Sequence, residues 1–272
     1  MKKILLIAAV SALTLGSNAG DWGKAPVPAK APIEECLDIG GNISVGYHSD
    51  YVYHGLRLGR DSVVTDVNYG IDSFIPLTLG ATYKNVIGGA PAVDHLELYL
   101  RGDLGSFAGF DAAISYTQHF YPEPPLGSAG EIGLHLSRDI GIATLKGNIL
   151  YNMNYPNSWN ITAPDDSGAW FYDFGIEKVV PVAGQNLVLS AGVGYGDNYW
   201  GALPLANTTH ASGWNHYYIT AALPIELNCR ATITPYIGYT GAPEGWLVDG
   251  IAGPTGIQSD ILHGGVTLSV SF

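Results

Sequence analysis

The chain has 272 residues and is acidic, since 24 Asp and Glu residues against 12 Lys and Arg residues give a formal net charge of −12. This balance excludes nucleic acid as an expected partner, because phosphate recognition needs clustered Lys and Arg. Hydrophobic residues make up 47% of the chain, yet beyond the N-terminus no apolar run reaches the roughly 18 residues of a membrane-spanning helix. A closed β-barrel can place such a chain in a membrane, because its strands satisfy one another's backbone hydrogen bonds.

The N-terminal residues predict export. Lys2 and Lys3 precede an apolar segment, residues 4–15, and a small-residue cleavage pattern ends at Ala19. We therefore predict a signal peptide over residues 1–19. Residues 20–38 are rich in Pro, Ala and Lys, which predicts an extended periplasmic lead-in. The barrel itself is predicted over residues 39–272.

From residue 39 onward, apolar and polar residues alternate in segments typical of barrel strands. In the clearest segment, residues 42–54, one face is expected to meet lipid and the other the lumen. The predicted lipid-facing side chains are Ile43, Val45, Tyr47, Tyr51 and Tyr53, and the predicted lumen-facing ones are Asn42, Ser44, His48, Asp50 and His54. Repetition of this unit predicts an all-β fold, a transmembrane antiparallel up-and-down β-barrel of about 12 strands, with ten or fourteen as alternatives.

The connections between these segments alternate in length, as in barrels with short periplasmic turns and longer outer loops. The predicted periplasmic turns are 73–76, 103–106, 138–141, 181–185 and 224–228. The predicted outer loops are 56–61, 85–92, 121–129, 156–167, 196–213 and 241–258. An even number of strands returns the C-terminus to the periplasm.

The last residues of the chain carry the most specific local pattern. Apolar side chains at Val266, Leu268 and Val270 alternate with polar ones up to the terminal Phe272. This segment is similar to the terminal strand of bacterial outer-membrane proteins. The resemblance implies recognition by the barrel assembly machinery through Phe272, contact with outer-membrane lipid, and location in the bacterial outer membrane.

A second resemblance lies near the start of the barrel. The segment Ser49-Asp50-Tyr51-Val52-Tyr53-His54-Gly55-Leu56 resembles the Ser-Asp-Tyr-Val-aromatic-basic-Gly motif that opens the first strand of the TorF-type porin family. That pattern has Arg where this chain has His54. The resemblance implies porin-like transport without naming a solute.

Ionisable residues on the lumen-facing side of the strands are the candidate functional residues. The predicted pore-lining set is Asp50, Asp66, Asp72, Glu97, Arg101, Asp111, Glu131, Lys146, Asp173 and Glu177. Acids outnumber bases in this set, so an open lumen should favour cations or neutral solutes over anions. The alternative is that Arg101 and Lys146 pair with facing carboxylates and close the lumen.

Other site chemistries are weaker in the sequence. His48, His54, His95, His119 and His135 all fall on lumen-facing positions, but no compact zinc-type spacing joins them. We therefore predict polar lining rather than a metal site, and no cofactor. A surface lipase would need a Ser nucleophile within reach of a His base, and adjacent His48 and Ser49 point to opposite faces. No enzymatic activity is expected.

Cys36 and Cys229 are the only cysteines in a chain that is predicted to be exported. Cys36 precedes the first predicted strand, and Cys229 follows a predicted periplasmic turn. Both are expected at the periplasmic end of the barrel. We predict a disulfide that ties the lead-in to the barrel rim.

Taken together, the sequence predicts an outer-membrane channel for passive diffusion of small cations or neutral solutes. The alternative is a structural or adhesive barrel with a closed lumen, whose outer loops bind a surface partner. Trp159, Tyr199, Trp200 and Trp246 make those loops rich in aromatic side chains.

Overall fold

Alternating side chains along the chain form long antiparallel strands. The computed structural model describes residues 39–88, 94–121, 128–153, 168–197, 212–249, 252–253, 256–257 and 260–272. The strands are β1 (Gly41–Tyr53), β2 (Leu56–Ile71), β3 (Leu77–Gly88), β4 (His95–Phe107), β5 (Phe110–Phe120), β6 (Ser128–Asp139), β7 (Thr144–Met153), β8 (Ala169–Val182), β9 (Gln185–Asp197), β10 (Gly213–Ala222), β11 (Ile225–Glu226), β12 (Ala231–Gly241), β13 (Ala252–Gly253), β14 (Gly256–Ile257) and β15 (Asp260–Ser271). The signal peptide and lead-in predicted for residues 1–38 lie outside the described residues.

The sheet closes on itself. Each strand from β1 to β10 pairs with its sequence neighbour, β10 pairs with β12, β12 with β15, and β15 with β1. The two-residue β11 continues the line of β10 along β12. Within the described residues, twelve antiparallel strands therefore form a closed up-and-down barrel, which confirms the predicted fold class. No described helix is long and apolar enough to cross a membrane.

The outer surface of this barrel is apolar. Large hydrophobic side chains stay exposed along the strands, among them Ile43, Val45, Val67, Leu79, Leu98, Leu100, Ile114, Leu134, Phe174, Ile176, Ile219 and Leu268. Towards the outer-loop end, the Tyr172 ring on β8 contacts that of Tyr195 on β9, which contacts that of Trp214 on β10, and Trp170 lies beside Tyr172 on β8. An apolar band bordered by Trp and Tyr is the surface that a barrel presents to lipid.

Two predicted connections are wrong. Residues 103–106 belong to β4, and the turn follows at Ala108 and Gly109, where both residues have positive φ. Residues 56–61, predicted as an outer loop, belong to β2, and the turn is the dipeptide His54-Gly55. In each case a two-residue turn with two left-handed residues matches the right-handed twist of the strands that it joins. Neither dipeptide is the Asn-Gly or Asp-Gly pair that would have marked such a turn.

Two tyrosines predicted on the lipid side lie inside the barrel. The strict alternation of faces ends in the outer half of β1, since Tyr47 is 45% exposed whereas Tyr51, four residues on, is 6% exposed. The β1–β2 register also shifts just beyond this point, between Tyr51 and Val52, where a bulge disrupts the regular pairing. The Tyr53 ring lies 6.3 Å from that of His95 inside the lumen.

Glycines on the inner wall make room for large rings from neighbouring strands. A Cβ at Gly80 would lie 2.3 Å from the ring of Tyr99, and one at Gly192 would lie 2.5 Å from the Tyr218 hydroxyl. The tyrosines lie along the wall over these glycines, an arrangement that protects glycine backbone in sheets. Such glycines therefore widen the lumen less than their missing side chains suggest.

Candidate functional site: the barrel lumen

The β1–β2 turn enters the outer end of the lumen. The His54 ring stacks between those of Tyr53 and Phe171, with centroid distances of 4.1 and 4.0 Å. Phe171 belongs to β8, far around the barrel from β1. The backbone oxygen of His54 also accepts a 2.7 Å hydrogen bond from the side-chain amide of Asn215 on β10. The turn therefore crosses the lumen and is held by the opposite wall.

An apolar cluster surrounds this turn, and we call it the outer plug. Its buried members are Leu56, Leu150, Ala169, Phe171, Ala242 and Val248, against which Tyr53, Leu58, Trp246 and Leu247 pack. Wall residues of β7 and β8 thus meet the β1–β2 turn and the segment that follows β12. The backbone amide of Leu247 fixes that segment by donating a 2.8 Å hydrogen bond to the carbonyl of Trp214. The outer plug narrows the outer mouth of the barrel.

The residues of the turn are fitted closely to this position. A Cβ at Gly55, where φ is +85°, would lie 2.6 Å from Cβ of His216, so glycine alone suits both the backbone and the space. His54 adopts φ +46°, which costs a non-glycine residue energy that surrounding contacts must offset. Burial lowers the pKa of His54 well below its usual value, and the nearby His216, His119 and Lys84 charges lower it further.

Below the outer plug lies a polar cavity of about 430 Å³. Its lining is His54, Tyr99, Arg101, Ser115, Thr117, Glu131, His135, Asn148, Leu150, Phe171, Asp173 and His216. These side chains come from the β1–β2 turn and from β4, β5, β6, β7, β8 and β10. Three predicted pore-lining residues, Arg101, Glu131 and Asp173, are therefore brought together around one space.

Most of the other predicted pore-lining residues form polar contacts along the wall. Asp50 pairs with Arg57 at 2.7 Å, and Lys146 pairs with Glu177 at 2.6 Å. Asp66 accepts hydrogen bonds from Asn68, Thr82 and Tyr99. Glu97 pairs with Lys84 at 2.5 Å. The charges of the wall are thus compensated by neighbouring side chains. Lys146 pairs with a carboxylate, as in the alternative prediction of ion pairs in the lumen.

Arg101 is paired more loosely. Its Nε lies 3.4 Å from Oδ1 of Asp103, a residue of its own strand. Asp173 accepts hydrogen bonds from Asn148 at 3.2 Å and Tyr218 at 3.3 Å. The Oε2 atom of Glu131 is buried and has no hydrogen-bond partner among the described residues. The cavity therefore keeps carboxylate groups that no described cation pairs with closely.

Two residues of the predicted set lie at the periplasmic rim. Asp72 follows the end of β2 and is exposed in the turn before β3. Asp111 is the second residue of β5, and its carboxylate accepts a hydrogen bond from Ser106 across the β4–β5 turn. Neither residue belongs to the lining of the central cavity.

The cysteine prediction falls partly on described residues. Cys229 is disulfide-bonded and lies in the turn before β12, and its predicted partner Cys36 lies outside the described residues. That turn is next to the chain end, because the amide of Ser271 donates a 2.8 Å hydrogen bond to the carbonyl of Arg230. Ile39 also donates to the Phe272 carbonyl at 3.1 Å.

Phe171 and His216 were absent from the predicted site. Alternation along β8 puts Trp170, Tyr172 and Phe174 on the outer face, so the same pattern assigns Phe171, which lies between them, to the lumen. His216 gave a weaker signal, since the β9–β10 register shifts between Trp214 and His216. Alternation identifies the inner face but not the partner across the lumen.

No protein-family model matches the chain, and no curated protein matches its sequence at a significant level. Solved structures do match the fold. The NanC porin aligns over 85% of this chain and 100% of its own, with 12% identity and a TM-score of 0.50. An outer membrane channel from Pseudomonas putida F1 aligns over 90% and 100%, with 10% identity and a TM-score of 0.52. The chain thus has the fold of a bacterial outer-membrane β-barrel. Its apolar outer band also fits a location in the outer membrane.

Proposed function

We propose that this outer-membrane barrel is a porin-like channel for passive diffusion of small cations or neutral solutes, without enzymatic activity. The observation that carries the proposal is the cavity of about 430 Å³ inside the barrel wall, lined by polar side chains from six strands. A barrel that served only as a scaffold would gain stability by filling this space with packed side chains.

The charges of the lining support selection against anions. Glu131 and Asp173 are the carboxylates of the cavity lining, and Arg101 is its guanidinium. Among the described residues, Arg101 has a single carboxylate contact, at 3.4 Å to Asp103, whereas Arg57, Lys84 and Lys146 each pair with a carboxylate within 2.7 Å. Negative lining raises the local concentration of cations and lowers that of anions.

The proposal is tested by conductance of the refolded chain in a planar bilayer across a salt gradient. We expect steady openings that prefer cations. Arg101→Gln should raise the cation-over-anion permeability ratio by about two- to five-fold, since one unit charge at 4 to 8 Å in water changes the energy of an ion by about 0.5–1 kcal/mol. Asp173→Asn should lower the ratio.

Arg138→Gln is the matched control, because Arg138 is exposed on the periplasmic rim over the ring of Phe110. The cation-over-anion permeability ratio of Arg138→Gln should stay at the wild-type value. Anion preference in the wild type, or equal effects of Arg101→Gln and Arg138→Gln, would contradict the proposed selectivity.

A second function is favoured by the outer plug. A barrel whose outer mouth is narrowed by Leu56, Phe171 and Val248 is suited to a structural or adhesive role carried by its outer loops. Absence of conductance in wild type and in a variant with a loosened outer plug would favour this role.

Two assignments accompany the proposal. We place the chain with the TorF-type porins on the segment from Ser49 to Leu56, whose Tyr51, Tyr53 and His54 side chains lie inside the lumen. We also propose that the strand ending in Phe272 is read by the barrel assembly machinery. Removal of Phe272 should then lower the amount of folded barrel in the outer membrane.

A further inference from the structure

Two histidines and a glutamate meet on the inner wall beside the outer plug. His95 and Glu97 are two residues apart on β4, so their side chains share a face. His119 on β5 is paired directly with Glu97 across the two strands. Three potential ligand atoms, one from each residue, lie within 4.8 Å of one another.

The distances between these atoms are close to those of a metal ligand set. His95 Nε2 lies 2.9 Å from His119 Nδ1. Glu97 Oε1 lies 3.7 Å from His119 Nδ1, and one ligand atom of each of the three residues lies within 4.8 Å of the other two. Ligand atoms around a tetrahedral zinc ion, each about 2.0–2.1 Å from the metal, are about 3.3–3.4 Å apart. Small side-chain rotations would therefore bring these groups onto one ion.

The surroundings hold His95 in place. The Tyr51 hydroxyl and His95 Nδ1 are 2.8 Å apart, a hydrogen bond that leaves Nε2 of the same ring directed at His119. The Tyr121 ring stacks on His95 at 4.6 Å. Hydrogen bonds to the non-ligating nitrogen of a histidine fix the orientation of metal-binding rings. His95 is fully buried, and His119 is 4% exposed.

Protein groups alone leave this cluster incomplete. His119 Nε2 is buried and has no hydrogen-bond partner among the described residues. The carboxylate of Glu97 is already paired with a cation, since Lys84 Nζ lies 2.5 Å from Glu97 Oε1. Lys84 is paired with His95 in the β3–β4 register and reaches the cluster by a flexible side chain. An ion bound by Glu97 would have to displace it.

We infer that His95, Glu97 and His119 form a binding site for a divalent transition-metal ion such as Zn²⁺, with the Lys84 ammonium as the competing internal cation. Two imidazole nitrogens and one carboxylate oxygen suit zinc and its neighbours, whereas Ca²⁺ and Mg²⁺ prefer oxygen ligands alone. The inference does not depend on transport, because the site can bind metal whether or not the lumen conducts. The inferred metal site differs from the prediction made from the sequence, in which these histidines only line the lumen as polar side chains.

The test is calorimetric titration of the refolded full chain with Zn²⁺, with Ca²⁺ as the comparison ion. We expect wild type to bind one Zn²⁺ in the micromolar range and Ca²⁺ at least ten-fold more weakly. His119→Gln and Glu97→Gln should each weaken Zn²⁺ binding at least ten-fold. Lys84→Gln should tighten it, because the competing ammonium is removed.

The control is His135→Gln. His135 is another lumen histidine, hydrogen-bonded to Ser115 and Asn148, and its loss should leave zinc affinity unchanged. Folding of every variant is checked by its heat-dependent mobility on a denaturing gel. The Lys84→Gln variant keeps the test decisive if a ligand variant misfolds. Failure of both wild type and Lys84→Gln to bind Zn²⁺, or equal weakening by His135→Gln and His119→Gln, would overturn the assignment.

Discussion

At the scale of single residues, His54 combines an unfavourable backbone with favourable contacts. Its φ of +46° is a conformation that Asn or Gly adopts more easily. The imidazole is retained between the rings of Tyr53 and Phe171. Stacking of that kind adds about 0.5–1.5 kcal/mol beyond area burial. We expect this residue to make closure of the outer mouth depend on pH.

The direction of that dependence follows from the lowered pKa of His54 in the inserted turn. A released turn would titrate near the ordinary value of 6.5. Insertion is therefore fully favoured above pH 6.5 and weakens as the pH falls below it, because the released state then binds the proton. Each unit of difference between the His54 pKa of the inserted turn and that of the released turn changes the equilibrium between these two states by up to about ten-fold. Conductance should rise between pH 7.5 and pH 5.

His54→Asn should largely remove this rise, since Asn suits the turn but neither titrates nor stacks. The matched control is Ala108→Asn, at the same position of the two-residue β4–β5 turn, where φ is +51°. It should keep the wild-type pH profile. A profile that is unchanged in His54→Asn would show that His54 is not the group responsible.

At the scale of elements, the β1–β2 hairpin is the part that departs from a plain barrel. Its outer end shifts register between Tyr51 and Val52, and Leu56 is 1% exposed where a rim residue would meet solvent or lipid. The hairpin is anchored across the lumen by Phe171 on β8. The contact with this one side chain thus links the first strands to the opposite wall.

Phe171→Ala should loosen the outer plug and raise conductance. Removal of a buried Phe costs about 3–5 kcal/mol, which should also lower the urea midpoint of unfolding. Phe174→Ala is the control on the same strand, because Phe174 is 50% exposed on the outer face. It should leave conductance unchanged. Equal conductance in wild type and both variants would mean that the outer plug does not limit passage.

At the scale of the whole molecule, the start of β1, the end of β15 and the β11–β12 turn meet at the periplasmic rim. The amide of Phe272 donates to the Gly41 carbonyl at 2.9 Å, and Ser271 donates to Arg230, the neighbour of Cys229. Ile39, the first described residue, donates to Phe272, so it lies on the same part of the rim as Cys229. This arrangement supports our proposal that Cys36 and Cys229 join the lead-in to the barrel.

Peptide mapping of the exported protein under non-reducing conditions should recover Cys36 and Cys229 in one linked peptide. Cys229→Ser should lower the free energy of unfolding by up to about 5 kcal/mol, the nominal value for a closed loop of more than 100 residues. Wild type measured with and without reductant provides the matched comparison. Two alkylated thiols in the non-reduced protein would contradict the proposed link.

The sequence alone determined most of the strands, their two faces away from the outer end of β1, and the closed form of the barrel. Ile43 and Val45 are exposed on the outer face as predicted, and Asp66 is inside as predicted. Alternation of period two is a local property, so it can be read residue by residue. The closed form follows as well, since lipid leaves no partner for an open sheet edge.

Only the tertiary structure decided how the inner face is used. The contacts of Tyr51 and Tyr53 with His95 in the lumen, the stack of His54 on Phe171, and the meeting of Glu97 with His119 all depend on how separate strands meet. Register and the depth to which a turn enters the lumen depend on side chains distant in sequence. Alternation carries no information about register or depth. A strand keeps the same inner face whichever residues of the neighbouring strand it is paired with.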